Sequence, residues 1–208
     1  MRIQKKLALS ATMFTACLAF SAQAHVQDPQ LTEYRADKGK SSVWLSHEDS
    51  SGGLGDVGSS KDSAFGDEGS SRFRFKRDVS NHDFNAKPGL SQIVSGLPAN
   101  TDMSFSLYYC DKKGANSPTQ LHFGVREVIP NAPLAGTVLA DAKAHVKDLA
   151  LAPQGDNKKC FRQVAVDFNT GNNAQVEIFS LLDVDTSQEL SLDKELEVRV
   201  DEFAITPK

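Results

Sequence analysis

The sequence predicts an all-β protein, an antiparallel β-sandwich with very little helix. Two observations carry this. Segments such as "SRFRFKR", "TDMSFSLYYC" and "CFRQVAVDF" alternate apolar and polar residues with period two, as half-buried strands do. Between them lie stretches rich in Gly, Ser, Asp and Asn that mark turns, so the chain reads as about seven to ten short strands. Strands of that number and length bury their apolar faces as two packed antiparallel sheets.

A leader precedes the fold. Residues 1–24 have a basic head (Arg2, Lys5, Lys6), an apolar middle from Leu7 to Phe20, and the small-x-small end Ala22, Gln23, Ala24. This is the pattern of a secretory signal peptide cut after Ala24, and it directs the protein to a secreted or periplasmic location. Cys17 has Phe14 before it and apolar residues after it, which speaks against a lipid-acceptor role. No later stretch approaches the roughly 20 apolar residues of a membrane span. Residues 25–47 are a polar lead-in segment ending in a first strand near "SSVWLSH", and they form one domain with residues 48–208.

The 208-residue chain has a formal net charge of −4, and the leader removes cations but no carboxylate. Nucleic-acid binding is disfavoured by that balance and by the export signal. Beyond the leader two cysteines remain, Cys110 and Cys160, and an even pair in an oxidising compartment reads as a disulfide. It closes a loop of about fifty residues, worth around 4 kcal/mol in the chain-entropy model.

The elements follow in order. Residues 48–71 lack periodicity and read as loop, and "SRFRFKR" reads as a strand with Phe73 and Phe75 inward. After the loop "DVSNHDFNAKPG" comes the short strand "LSQIVSGL". In "TDMSFSLYYC" Met103, Phe105, Leu107 and Tyr109 share one face, and in "TQLHFGVRE" Leu121, Phe123 and Val125 do. With "DKKGANSP" between them, these two strands are expected to form an antiparallel hairpin. "LADAKAHVKDLAL" reads as a short helix, with strand or coil as alternatives, and "QGDNKK" as an exposed turn. Strands resume in "CFRQVAVDF" and "AQVEIFSLLD", joined by the turn "NTGNN".

The last strand, "LEVRVDEFAIT", changes parity. Leu196, Val198 and Val200 point one way, whereas Phe203 and Ile205 keep the other register. One regular strand cannot bury both sets on one face, so a β-bulge is expected at Asp201 and Glu202. A carboxylate at such a bulge is a candidate calcium ligand.

Three segments together resemble a known family. They are "LSQIVSGLPANTDMSFSLYYCDKKG", "CFRQVAVDFNTGNNAQVEIFSLLD" and "VRVDEFAIT". In order and spacing, over roughly residues 69–206, they look like the jelly-roll carbohydrate-binding modules of families four, nine, sixteen and twenty-two, which occur beside polysaccharide-degrading enzymes. The resemblance implies a jelly roll, sugar binding and a structural Ca2+. It implies Asp201 as a calcium ligand, with Glu48 of "SHED", or "GDEG", standing in for a Phe-Glu segment this chain lacks. The long stretch between residues 128 and 160 also departs from such modules.

Candidate ligand-binding residues fall in two groups. Tyr108, His122, Arg126, Glu177 and Phe179 have outward parity and are expected on one sheet face, where they offer the flat rings and planar polar groups that sugar recognition uses. Arg72, Arg74 and Lys76 alternate with Phe73 and Phe75, so their cations stand about 6.5–7 Å apart on the outer face of a strand. Guanidinium matches carboxylate through paired hydrogen bonds, and such a row suits an acidic polymer. Its competing reading is a solvated face paired with local carboxylates such as Asp67, Glu68, Asp78 and Asp83.

These readings converge on a secreted, non-catalytic carbohydrate-binding module. Its favoured ligand is an anionic polysaccharide such as alginate, and a separately encoded polysaccharide-degrading enzyme is a candidate partner. The enzymatic alternative is a jelly-roll alginate lyase, but no Tyr and His stand at a recognisable acid–base spacing and no Tyr-Phe-Lys-Ala-Gly motif is present. A structural envelope β-domain is the remaining alternative. His25, the mature N-terminus, would fit a copper histidine brace, but the "VQDPQ" after it lacks the pattern that follows in such enzymes.

Overall fold

A computed structural model describes residues 25–48, 55–66, 69–76, 82–111, 113–151, 160–188, 190 and 196–208. The leader, residues 1–24, and the expected turn at "QGDNKK" lie outside them. The described residues include one short helix, α1 (Thr32–Ala36), and ten strands. These are β1 (Leu45–His47), β2 (Asp56–Ser60), β3 (Ser70–Phe75), β4 (Gly89–Ser95), β5 (Asp102–Cys110), β6 (Thr119–Glu127), β7 (Val138–Ala144), β8 (Phe161–Asn169), β9 (Gln175–Val184) and β10 (Leu196–Pro207).

The strands make two five-stranded antiparallel sheets, ordered β1-β4-β9-β6-β7 and β2-β3-β10-β5-β8. Only the β2–β3 and β6–β7 connections stay within a sheet, and every other one crosses the sandwich, as a jelly roll requires. The expected β5–β6 hairpin is therefore corrected. Both strands bury the predicted faces, but β5 pairs with β10 and β8, and β6 pairs with β7 and β9. Period-two alternation says which face is buried. It does not say whether two successive strands are neighbours in a sheet or face each other across the roughly 10 Å core.

The core holds Phe73, Phe75, Phe105, Phe123, Val176, Ile178 and Val198, all buried. The parity change in β10 is the expected bulge. The β10–β5 register shifts between Asp201 and Ala204, and Glu202 adopts φ 54°, so Val200, Phe203 and Ile205 all reach the core. The turn after β8 is also as expected, with Gly171 at φ 53°.

Three segments differ from expectation. The stretch 48–71 contains β2, an edge strand with a single core residue, Val57, and hence no periodicity to detect. The lead-in segment forms α1, because the Asp28 carboxylate accepts the backbone N–H groups of Glu33 and Tyr34 at 3.0 and 2.8 Å. Tyr34 is fully buried, and Trp44 packs on Phe203 with ring centroids 4.5 Å apart. The expected helix in "LADAKAHVKDLAL" is strand β7 and a single 3-10 turn at Val146–Asp148. Edge pairing of β7 with β6 satisfies that backbone and overrides the helix propensity of its alanines. The disulfide Cys110–Cys160 is formed, joining the end of β5 to the residue before β8.

Candidate functional site

Alternation along β9 sends Val176, Ile178, Leu182 and Val184 into the core. Glu177, Phe179, Leu181 and Asp183 therefore face away from it, on the outer face of the first sheet. There Glu177 lies opposite Arg126 of β6, and His122 lies opposite Leu181. Ser91 and Ile93 of β4 flank Phe179 and Glu177 on the other side.

The Phe179 ring is nonetheless fully buried. The Arg126 guanidinium sits 4.9 Å from its centroid, and His122 meets it edge-on at 5.2 Å. Its outward parity is as read from sequence, but its exposure as a stacking platform is corrected: neighbouring long side chains roof it. His122 is itself held by Asp141 through a 2.7 Å contact. At the far end of β9, Lys87 and Lys143 both reach the carboxylate of Asp183.

A groove of about 490 Å³ opens beside Glu177, between β1, β4 and the 128–137 segment. Leu45, Ile93 and Ile129 line it and are 48%, 50% and 43% exposed. Ser91, Asn131 and Glu177 add polar groups. The 128–137 wall is fixed at two points. Arg126 Nη1 donates to the Leu134 carbonyl at 2.8 Å, and the Leu134 N–H donates to Glu177 Oε2 at 2.8 Å. At its base, a Cβ on Gly136 would lie 1.8 Å from the Glu127 carbonyl oxygen, so only glycine allows the approach.

The groove's aliphatic residues escaped the sequence reading. Ile93 carried a signal: in "SQIVSG" its parity matches Ser91 and Ser95, an isoleucine on the polar face of a strand. Ile129 lies in a loop and carried none.

Tyr108 does not join this group. It stands on the outer face of the second sheet, edge-on to Phe65 at 4.8 Å, so the expectation of one shared face is corrected for it. Arg72 and Arg74 are also on that face, and Lys76 follows the end of β3. All three cations are paired. Arg74 and Lys76 contact opposite oxygens of Asp56 at 2.8 and 2.9 Å, and Arg72 lies 3.8 Å from Glu197. Glu197 also meets Arg199 at 2.6 Å, and Arg199 contacts Asp62. Burial works against the Asp56 carboxylate, but hydrogen bonds and charge from Lys76 and Arg74 outweigh it and hold its pKa below the ordinary value. Among the described residues these partners are Asp56 and Glu197 on the neighbouring strands, and Asp67, Glu68 and Asp78 lie outside the described residues.

The candidate calcium ligands Asp201 and Glu48 both accept backbone amides. Asp201 is fully buried and accepts the N–H groups of Ala64 and Glu202, both at 2.8 Å. Glu48 accepts the N–H of Val57 at 2.7 Å. Among the described residues no group of three or more His, Cys, Asp or Glu side chains has the arrangement of a metal site, and Asp67 and Glu68 of "GDEG" lie outside them. No described helix is long and apolar enough to cross a membrane.

No family model matches the sequence, and no curated protein matches it. Solved structures do. The enzymatically active domain of tailspike protein 4 from bacteriophage CBA120 is similar at a TM-score of 0.53 and 11% identity, over 88% of this chain and 21% of that one. The N-terminal CBM22-1–CBM22-2 tandem of Paenibacillus barcinonensis Xyn10C gives a TM-score of 0.50 at 13% identity, over 86% of this chain and 48% of that one. The single CBM22-2 xylan-binding domain of the same protein gives 0.48 at 13% identity, over 86% of this chain and 98% of that one. The chain thus spans less than half of either of the first two. What is shared at these identities is architecture: the chain is a two-sheet jelly roll of the kind that carbohydrate-binding modules adopt.

Proposed function

We propose that the protein is a non-catalytic carbohydrate-binding domain that holds a glycan in the groove on the outer face of its first sheet. One observation carries this reading. Three of the exposed large aliphatic side chains converge on a single groove, with the Glu177 carboxylate inside it. Aliphatic walls suit the C–H faces of a pyranose, and Glu177, Ser91 and Asn131 supply partners for its hydroxyls. The fold shared with the CBM22-1–CBM22-2 tandem supports the same reading. Export through the leader and work beside a separately encoded polysaccharide-degrading enzyme belong to it as well.

Turnover has little support in the geometry. Tyr34 and Tyr109 are buried, and Tyr108 and His122 stand on different sheets. An acidic ligand such as alginate on the basic strand would have to displace Asp56 and Glu197 from cations they already neutralise.

Retention on a panel of neutral and acidic polysaccharide gels, with absorbance near 235 nm followed for unsaturated uronates, tests this. Ile93→Asp is expected to abolish retention, and the triple variant Arg72→Ala, Arg74→Ala, Lys76→Ala to preserve it. The opposite pattern on alginate places the ligand on the basic strand. A rise in absorbance makes the protein a lyase, and retention on no polymer removes the carbohydrate reading.

A further inference from the structure

Glu177 is only 4% exposed, and its surroundings leave its charge without a partner. Oε2 accepts the Leu134 N–H, while no described residue donates to Oε1. Arg126, opposite it in the β6–β9 register, is the obvious cation. Its guanidinium is instead directed to the Leu134 and Gly136 carbonyls and the face of Phe179, and no ion pair joins it to Glu177 among the described residues. None of the described residues lining the groove is a cation. His47 is close enough to feel the Glu177 charge, but burial holds its pKa below the ordinary value although Glu177 pulls the other way. A carboxylate this deep, with Arg126 across the strand pair but not in contact and with Oε1 open to the groove, gains from any donor that enters there.

We infer that the groove takes a glycan bearing an ammonium group, a glucosamine-type unit whose cation meets Glu177 Oε1 while its ring lies between Leu45, Ile93 and Ile129. The inference rests on the proposed glycan-binding groove and deepens it. A hydroxyl brings a single neutral donor to Oε1. An ammonium brings several donors and a positive charge in direct contact, and charge-assisted hydrogen bonds are roughly twice as strong as neutral ones. A uronate brings a like charge to the same place and is repelled. Residue choice in the groove therefore points away from the acidic polymers that the basic strand suggests.

Titration calorimetry of the full mature chain with a glucosamine hexamer, the matched N-acetylglucosamine hexamer and an alginate hexamer tests this near pH 6. The glucosamine hexamer is expected to bind about tenfold or more tightly than the acetylated one, with affinity falling as salt rises. Glu177→Gln is expected to erase the difference. Its amide oxygen still accepts the Leu134 N–H, so the 128–137 wall stays in place and a lost preference is not a lost fold. Because the protein is acidic overall, Glu33→Gln on α1 removes an equal charge away from the groove and is expected to leave the preference intact. Equal binding of the two hexamers overturns the ammonium site while leaving the glycan groove standing. So does a preference that survives Glu177→Gln or falls equally with Glu33→Gln. Binding of no hexamer, with unshifted amide resonances for Ser91, Ile93 and Asn131, overturns both.

Discussion

Arg126 and Glu177 face each other across the β6–β9 pairing, yet they meet only through Leu134. The guanidinium donates to the Leu134 carbonyl, and the Leu134 N–H donates to the carboxylate, each at 2.8 Å. Leu134 has φ 62°, a left-handed backbone that costs a leucine on the order of 1 kcal/mol. The two charged side chains offset that cost and hold one wall of the groove.

Replacing Arg126 by Ala should release this wall. The loss combines a charged donor's hydrogen bond with its contact to Phe179, together about 2–3 kcal/mol of stability. Amide exchange is the sharper measurement: Leu134 should exchange far faster in Arg126→Ala, while Ile178 in the core should change only with global stability. A Leu134 amide as protected as in the wild type would mean that the clamp does not hold the loop.

Much of this architecture was legible because burial has period two. Phe73 and Phe75, the inward residues of β5 and β6, and the break of parity after Val200 all read directly as core faces and a bulge. What alternation could not supply was lateral order. Tyr108 and His122 look like members of one surface in sequence, and only the crossing of the chain after β5 puts them on different sheets. Charge was ambiguous for a related reason. Arg74 is paired by Asp56, a residue from a strand too irregular to predict, so the sequence left open whether the row was a site or a face paired with carboxylates. The groove depends on Ile129 and Leu134, loop residues whose positions follow from tertiary contacts with Arg126 and Glu177 and not from any local pattern.

Asp201 offers a test of what the bulge needs. Its carboxylate is fully buried and receives two backbone N–H groups, those of Ala64 and Glu202. Asp201→Ala leaves both donors buried without these acceptors, and the expected loss is about 2–4 kcal/mol in urea unfolding. Chelation provides the control. If EDTA lowers wild-type stability as much as the substitution does, Asp201 acts through a bound metal instead of through these amides.

His47 sets a pH dependence whose sign is fixed by its burial. Its ring contacts Ser91 Oγ at 2.9 Å, and burial lowers its pKa from 6.5 despite the opposing pull of Glu177. The folded chain therefore takes up this proton less readily than the unfolded chain. The stability conferred by neutral His47 is complete above pH 6.5 and is lost as pH falls through the lower folded value. His47→Gln can keep a hydrogen bond to Ser91 but cannot titrate. Wild type should therefore lose stability relative to the variant as pH drops below 6.5, with the two curves parallel above it. Urea midpoints measured in steps from pH 8 to pH 5 give the comparison. A constant difference across that range would show that His47 takes up its proton equally in both states, and that its burial beside Ser91 carries no electrostatic cost.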